Sequence, residues 1–119
     1  MRYMLLIYSN HAEWEALSEA EQAAVMRGHA ELDADLKRAG KYETCDALAP
    51  TTCATTVRVR SGKTLVADGP FAETREQLGG FYVVDARDLD DAIVIASRIP
   101  TARSGSIEIR PIAEIEVPS

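Results

Sequence analysis

Long apolar runs are absent from this chain. The longest is about five to six residues, against the roughly 20 that a membrane-spanning helix needs. Cysteine is scarce, with 2 in 119 residues, so a disulfide-dense secreted scaffold is excluded. Gly and Pro, at 7 and 5, are too few for collagen-like or low-complexity disorder. Basic residues are outnumbered 13 to 19, which leaves a net charge of −6 and a pI near 4.9. Such a chain repels nucleic acid and anionic membrane surfaces unless it hides a basic patch. Arg58, Arg60 and Lys63 make only a small basic spot with no interleaved aromatics, so a direct nucleic-acid partner is not expected. A metal site is not expected either. The 2 His and 2 Cys fall on separate segments, and Cys45 and Cys53 match no ligand or redox spacing.

What remains is an ordinary globular composition, 46% hydrophobic and 27% charged, at a length that suits a single domain over residues 1–119. Residues 2–8 are rich in β-formers and end at the polar Ser9-Asn10-His11, with no small-residue cleavage site after them. They read as a strand rather than a signal peptide, and a cytoplasmic protein with reduced thiols is expected. Cys45 and Cys53 are both expected to be dispensable, because nothing near them in sequence lowers a thiol pKa.

A short helical turn is expected around Trp14. Ser18 and Glu21 have capping-box spacing, so a helix should start there and run to Ala39, where Gly40 stops it. Val25, His29, Leu32, Leu36 and Ala39 form its apolar stripe. Seven acids against three bases between Ala12 and Ala39 read as a solvated outer face. A short strand is expected over Glu43 to Ala47, ending before Pro50. Residues 55–60 and 64–67, joined at Ser61-Gly62-Lys63, form a β-hairpin. Phe81 to Asp85 is a further strand. Asp88 caps a second helix, with Leu89, Ile93 and Ala96 as its buried stripe and Pro100 at its end. Ile107 to Ile112 is the last strand, with Ile107 and Ile109 inward and Glu108 and Arg110 outward.

Without the added hairpin the order is βαββαβ, an α+β ferredoxin-like unit. Two helices cover one face of its sheet. Yet Tyr3, Leu5 and Ile7 oppose Met4, Leu6 and Tyr8, and Phe81 and Val83 oppose Tyr82 and Val84. A sheet apolar on both faces needs a second cover, and a face-to-face homodimer supplies one.

The segment Asp68-Gly69-Pro70-Phe71-Ala72-Glu73-Thr74, followed by Glu76-Gln77-Leu78-Gly79-Gly80-Phe81-Tyr82, resembles the signature of the DGPF subfamily of YCII-related proteins. Tyr3 to Tyr8, Asp88 to Ala92 and Gly105 to Pro111 resemble the same family. The resemblance implies a dimeric α/β barrel. It implies little about activity: some YCII-like relatives are small dehalogenating or lyase-type enzymes on ring-derived compounds, with a His and Asp pair suspected in a pocket. His29 and Asp68 stand at the matching positions. Members also occur beside or fused to extracytoplasmic-function sigma factors, which implies a regulatory alternative.

Two functions follow as expectations. The first is cofactor-free acid/base chemistry on a small organic molecule. The second is a small-ligand-binding or protein-interaction module tied to sigma-factor regulation. In the first, His29 is the acid or base, and Asp68 holds its imidazole and raises its pKa by opposite charge. The plainer alternatives are a His bonded to backbone and an Asp that accepts amides in a turn. Glu73, Arg75 and Glu76 read as surface residues on a turn of helix, with Arg75 as the group suited to an anionic substrate. Phe71 is a hydrophobic plug or a pocket wall. Tyr82, Tyr3 and Tyr8 are core or interface aromatics, one of which presents a hydroxyl to a pocket. His11 lies in a polar loop. Gly79-Gly80 is no phosphate loop, and supplies positive φ or close backbone approach.

Overall fold

The computed structural model describes residues 1–118. Its elements run β1 (Arg2–Ser9), α1 (His11–Glu15), α2 (Glu19–Arg38), β2 (Tyr42–Ala47), β3 (Thr55–Arg60), β4 (Lys63–Asp68), β5 (Gln77–Asp85), α3 (Leu89–Ser97) and β6 (Ser106–Pro111). Four strands form an antiparallel sheet in the order β2-β5-β1-β6, while β3 and β4 pair only with each other in a second sheet. This is the ferredoxin-like α+β arrangement with a hairpin inserted between β2 and β5.

Local chemistry sets the boundaries. The Ser18 hydroxyl accepts the Glu21 amide at 3.1 Å, and the Glu21 carboxylate accepts the Ser18 amide at 3.0 Å, so the capping box starts α2. Gly40 ends it with φ +72°. The hairpin turn is Ser61-Gly62, both at positive φ (52° and 75°), which matches the twist of the strands it joins. Asp88 accepts the Asp91 amide at 2.8 Å and starts α3.

The core lies between one sheet face and the two long helices. Tyr3, Leu5, Ile7, Tyr82 and Val84 meet Leu32 and Leu36 of α2 and Ala92, Ile95 and Ala96 of α3. The opposite face presents Met4 and Leu6 beside Val83 and Phe81 in matching registers. The sheet is therefore apolar on both sides, as the alternation predicts.

Two expectations change. β5 begins at Gln77, ahead of Phe81, because a register shift at Gly79 lets Leu78 and Gln77 keep pairing with Tyr8 and Ser9. The buried face of α3 is Asp91, Ala92, Ile95 and Ala96; Leu89 and Ile93 are exposed. The phase turns because Asp91 points inward, where its carboxylate accepts Lys41 Nζ and the Arg87 amide, each at 3.0 Å. No helix among the described residues is long and apolar enough to cross a membrane.

Candidate functional site

α2 lays His29 and Asp33 one turn apart on the edge of its buried stripe, just before Leu32 and Leu36 pass into the core. Facing them, Tyr82 stands between Leu5 of β1 and Cys45 of β2 in the sheet. His29 Nδ1 lies 2.8 Å from the Tyr82 hydroxyl. The two rings stack at 12° with centroids 6.0 Å apart. Beyond them, Cys45 Sγ is 3.8 Å from Asp33 Oδ2 and 3.4 Å from the Tyr42 hydroxyl. The cluster therefore runs His29, Tyr82, Asp33, Cys45, Tyr42, across α2, β5 and β2.

His29, Tyr82, Asp33 and Cys45 border a cleft of about 860 Å³, a size suited to a small organic ligand. Its apolar wall includes Trp14, Val25, Met26, Leu48 and Leu78. Asn10, His11 and Arg75 add polar groups. Gly80 belongs to the floor at a point of close backbone approach, since a Cβ there would lie 2.8 Å from the Asp46 carbonyl oxygen. Neither Gly79 nor Gly80 has positive φ, so close approach explains the pair.

Electrostatics follow from partial burial. Burial pushes the His29 imidazole below its ordinary value, and the Asp33 carboxylate opposes this only in part. A neutral imidazole at pH 7 results. Burial first, and the Asp33 carboxylate second, hold the Tyr82 phenol far above its ordinary value, so it keeps its proton. The hydrogen bond to the Cys45 thiol, then burial, raise Tyr42 to about 12. If the Tyr82 O–H donates to Nδ1, then Nε2 carries the imidazole proton. In the other tautomer Nδ1–H donates to the Tyr82 oxygen, and Nε2 offers a lone pair. Nε2 has no hydrogen-bond partner and is not among the buried unpartnered atoms, so it stays open toward the cleft. Asp33 Oδ1 is buried without a hydrogen-bond partner.

The structure does not join His29 to Asp68. Asp68 ends β4 on the exposed hairpin, outside the cleft lining, and no hydrogen bond links it to His29. The strand whose end carries Asp68 leaves the main sheet, so its carboxylate cannot serve as the expected orienting group within one chain. The expected upward shift of His29 reverses for the same reason: burial acts without Asp68 beside the ring. Phe71 is 81% exposed and lines no part of the cleft, whereas Arg75 and Tyr82 do line it. The sequence reading missed Asp33, which sits in an acidic stretch that looked like a solvated face. Its spacing of four from His29 was the available signal. Cys45 is free and half-buried within the cluster, while free Cys53 is exposed.

The YCII-related domain model matches residues 1–116. The chain belongs to the YCII-related family. An uncharacterized protein of Rhizobium meliloti (strain 1021) is 42% identical to it over 115 residues, covering 95% of this chain and 93% of that one.

Proposed function

We propose that this YCII-related protein is a cofactor-free acid/base catalyst acting on a small, mainly apolar organic molecule in the cleft. The observation that carries the reading is the 2.8 Å pairing of His29 Nδ1 with the Tyr82 hydroxyl, with Nε2 left open to the cleft. A base of depressed pKa, held in orientation by a phenol that stays protonated, suits proton abstraction near neutral pH. A lyase or dehalogenase-type elimination fits it. Nε2 takes a proton from a substrate carbon, the C–H electrons form a double bond, and halide or hydroxide leaves the neighbouring carbon. The imidazolium then returns its proton to solvent. Arg75 lines the cleft and has no ion pair among the described residues, so it is the group to hold an acidic substituent of the substrate. His29 and Tyr82 take the reacting end.

The reading extends to assembly and place. The second apolar sheet face, where Met4, Leu6 and Phe81 are half-buried and Val83 is buried, supports a homodimer packed sheet to sheet, as in a dimeric α/β barrel. Membership of the DGPF subfamily rests on Asp68-Gly69-Pro70-Phe71, and a cytoplasmic location on the cysteine usage.

The test is a turnover screen of halogenated and carbonyl ring compounds, with and without a carboxylate. For any substrate found, His29→Ala and Tyr82→Phe should cut turnover by about 10²–10⁴ while circular dichroism shows the fold retained. Full activity in folded His29→Ala overturns the reading. Tight binding of such compounds without turnover would favour the ligand-binding alternative instead.

A further inference from the structure

The hairpin β3–β4 is the part of this molecule that its own chain leaves unexplained. Its strands pair in one register, which places Thr55, Thr64 and Asp68 with the valines on one face and Leu65 and Ala67 with the basic residues on the other. Val57, Val59 and Val66 share one face, 59%, 59% and 65% exposed. Arg58, Arg60, Lys63 and Leu65 share the other. An isolated two-stranded ribbon is marginal in water, and one that exposes a valine face needs a cover. The whole chain is correspondingly extended. Its radius of gyration is 16.7 Å, against about 13.5 Å for a compact domain of this length.

Charge indicates what the cover is. Arg58, Arg60 and Lys63 against the single acid Asp68 leave the hairpin at +2 and the remaining chain at −8. The acids concentrate around α1 and the start of α2, where Glu13 and Glu19 are exposed and form no ion pair among the described residues. The same two helices supply the cleft wall formed by Trp14, Val25 and Met26, and Met26 is 58% exposed. The hairpin also springs from the cleft's own rim. Pro50 and Thr51 before it and Thr74 and Arg75 after it all line the cleft. Its base is closed by the Gly69 amide on the Ala54 carbonyl, at 2.8 Å.

We infer that the hairpin is an arm that clasps a second copy of this chain. Its valine face covers the apolar cleft wall at α1 and α2 of that copy, and its basic side chains reach the acids beside the seat. The strands give the arm a reach of about 20 Å. Long Arg and Lys side chains bend over the ribbon edge to neighbouring carboxylates while their stems cover apolar surface. In a two-fold dimer the exchange is reciprocal, so each cleft gains an outer wall from the other copy. This inference rests on the homodimer reading above and adds to it a specific second contact, one that couples assembly to closure of the cleft.

Sedimentation equilibrium at micromolar concentration tests it with the full chain. The comparison set is Val57→Asp with Val66→Asp, the β-compatible pair Val57→Thr with Val66→Thr, and a chain in which Asn-Gly replaces residues 55–68 between Ala54 and Gly69. The unaltered chain should sediment at about 26 kDa, twice its 13.0 kDa. The altered chains should dimerise at least about tenfold more weakly, a difference well resolved by this method. If the Asp pair misfolds, the Thr pair and the shortened chain decide the question. Arg58→Glu with Arg60→Glu should weaken the dimer, and Glu13→Lys with Glu19→Lys in the same chain should restore it. An unaltered chain of 13 kDa overturns both this inference and the sheet-to-sheet dimer. A dimer of unchanged strength in the shortened chain overturns the arm alone and leaves the sheet-to-sheet dimer standing.

Discussion

The imidazole of His29 and the phenol of Tyr82, 53 positions apart in sequence, share a 2.8 Å hydrogen bond and a stacked geometry over the core of the sheet. The pair stands where α2 turns its stripe from core to cleft. Burial strengthens the contact between the two polar groups and also disfavours charge on the imidazole.

This burial predicts a pH signature. The folded chain holds His29 below 6.5, while the unfolded chain titrates near that value. As pH falls, the unfolded state takes up the proton first. The stability due to neutral His29 is present above about pH 6.5 and is lost from there down to the lowered folded value. Thermal midpoints should therefore fall less between about pH 7.5 and pH 5.5 in His29→Gln than in the unaltered chain. Equal falls in the two proteins would contradict the lowered imidazole.

Asp33 predicts a second shift. Its carboxylate favours the imidazolium form of His29 against burial. Asp33→Asn removes that charge at nearly constant shape, so the His29 pKa should move further down. The titration of the ring Cε1 proton by NMR measures it directly. A rise of the His29 pKa in the variant would remove Asp33 from the electrostatics of the site.

Much of the fold was legible because its signals are local. The Ser18/Glu21 box, Gly40 after α2, Ser61-Gly62 in the hairpin and Asp88 before α3 each determine backbone geometry within a few residues. The site was legible only in part. The period of α2 placed His29 on the inner stripe. Its partner depends on which strand lies opposite, and that is a tertiary fact. Asp68 ends a strand, but that strand belongs to a ribbon outside the main sheet. By charge alone, Asp33 belongs to a solvated acidic face and Asp91 to the acidic first turn of α3. Each instead turns inward, Asp33 toward a cleft and Asp91 onto Lys41 and a backbone amide. A charge pattern alone does not distinguish a solvated carboxylate from one that folding supplies with donors.

Asp91 predicts a stability effect distinct from the cleft. It is 6% exposed and accepts the Arg87 amide and Lys41 Nζ. The Arg87 amide first, and Lys41 next, hold its carboxyl below the ordinary carboxylate range. The stability it contributes is present above the unfolded carboxylate value and is lost as pH falls through the lowered folded value. Asp91→Ala strands a partly buried amide and a half-buried ammonium, and should cost roughly 2 kcal/mol in urea unfolding at pH 7. The loss should shrink as pH falls below the ordinary carboxylate range and the native carboxylate protonates in turn. A loss independent of pH would assign Asp91 a packing role only.

Two glycines separate a tolerant contact from a rigid one. A Cβ on Gly28, inside α2, would meet Pro100 Cγ at 2.8 Å, the tip of a ring that can change pucker. Alanine there also gains up to about 1 kcal/mol of helix propensity, which offsets the crowding. Gly28→Ala should therefore lie within about 1 kcal/mol of the parent chain. A Cβ on Gly105, just before β6, would overlap the carbonyl oxygen of Tyr8, with Thr101 Cγ2 at 3.2 Å and Ser9 Cβ at 3.3 Å behind it. The carbonyl belongs to the β1 backbone, which is hydrogen-bonded on both sides between β5 and β6. Relief requires the end of β6 to move off β1. Gly105→Ala should cost about 2–3 kcal/mol, a fall of roughly 8 °C or more in thermal midpoint for a chain of this size. Amide exchange should quicken at Ser106 to Glu108, while the strand pairs near Met4 stay protected. A Gly105→Ala chain as stable as Gly28→Ala would show that the β1–β6 edge yields easily, and would reverse the order predicted for these two sites.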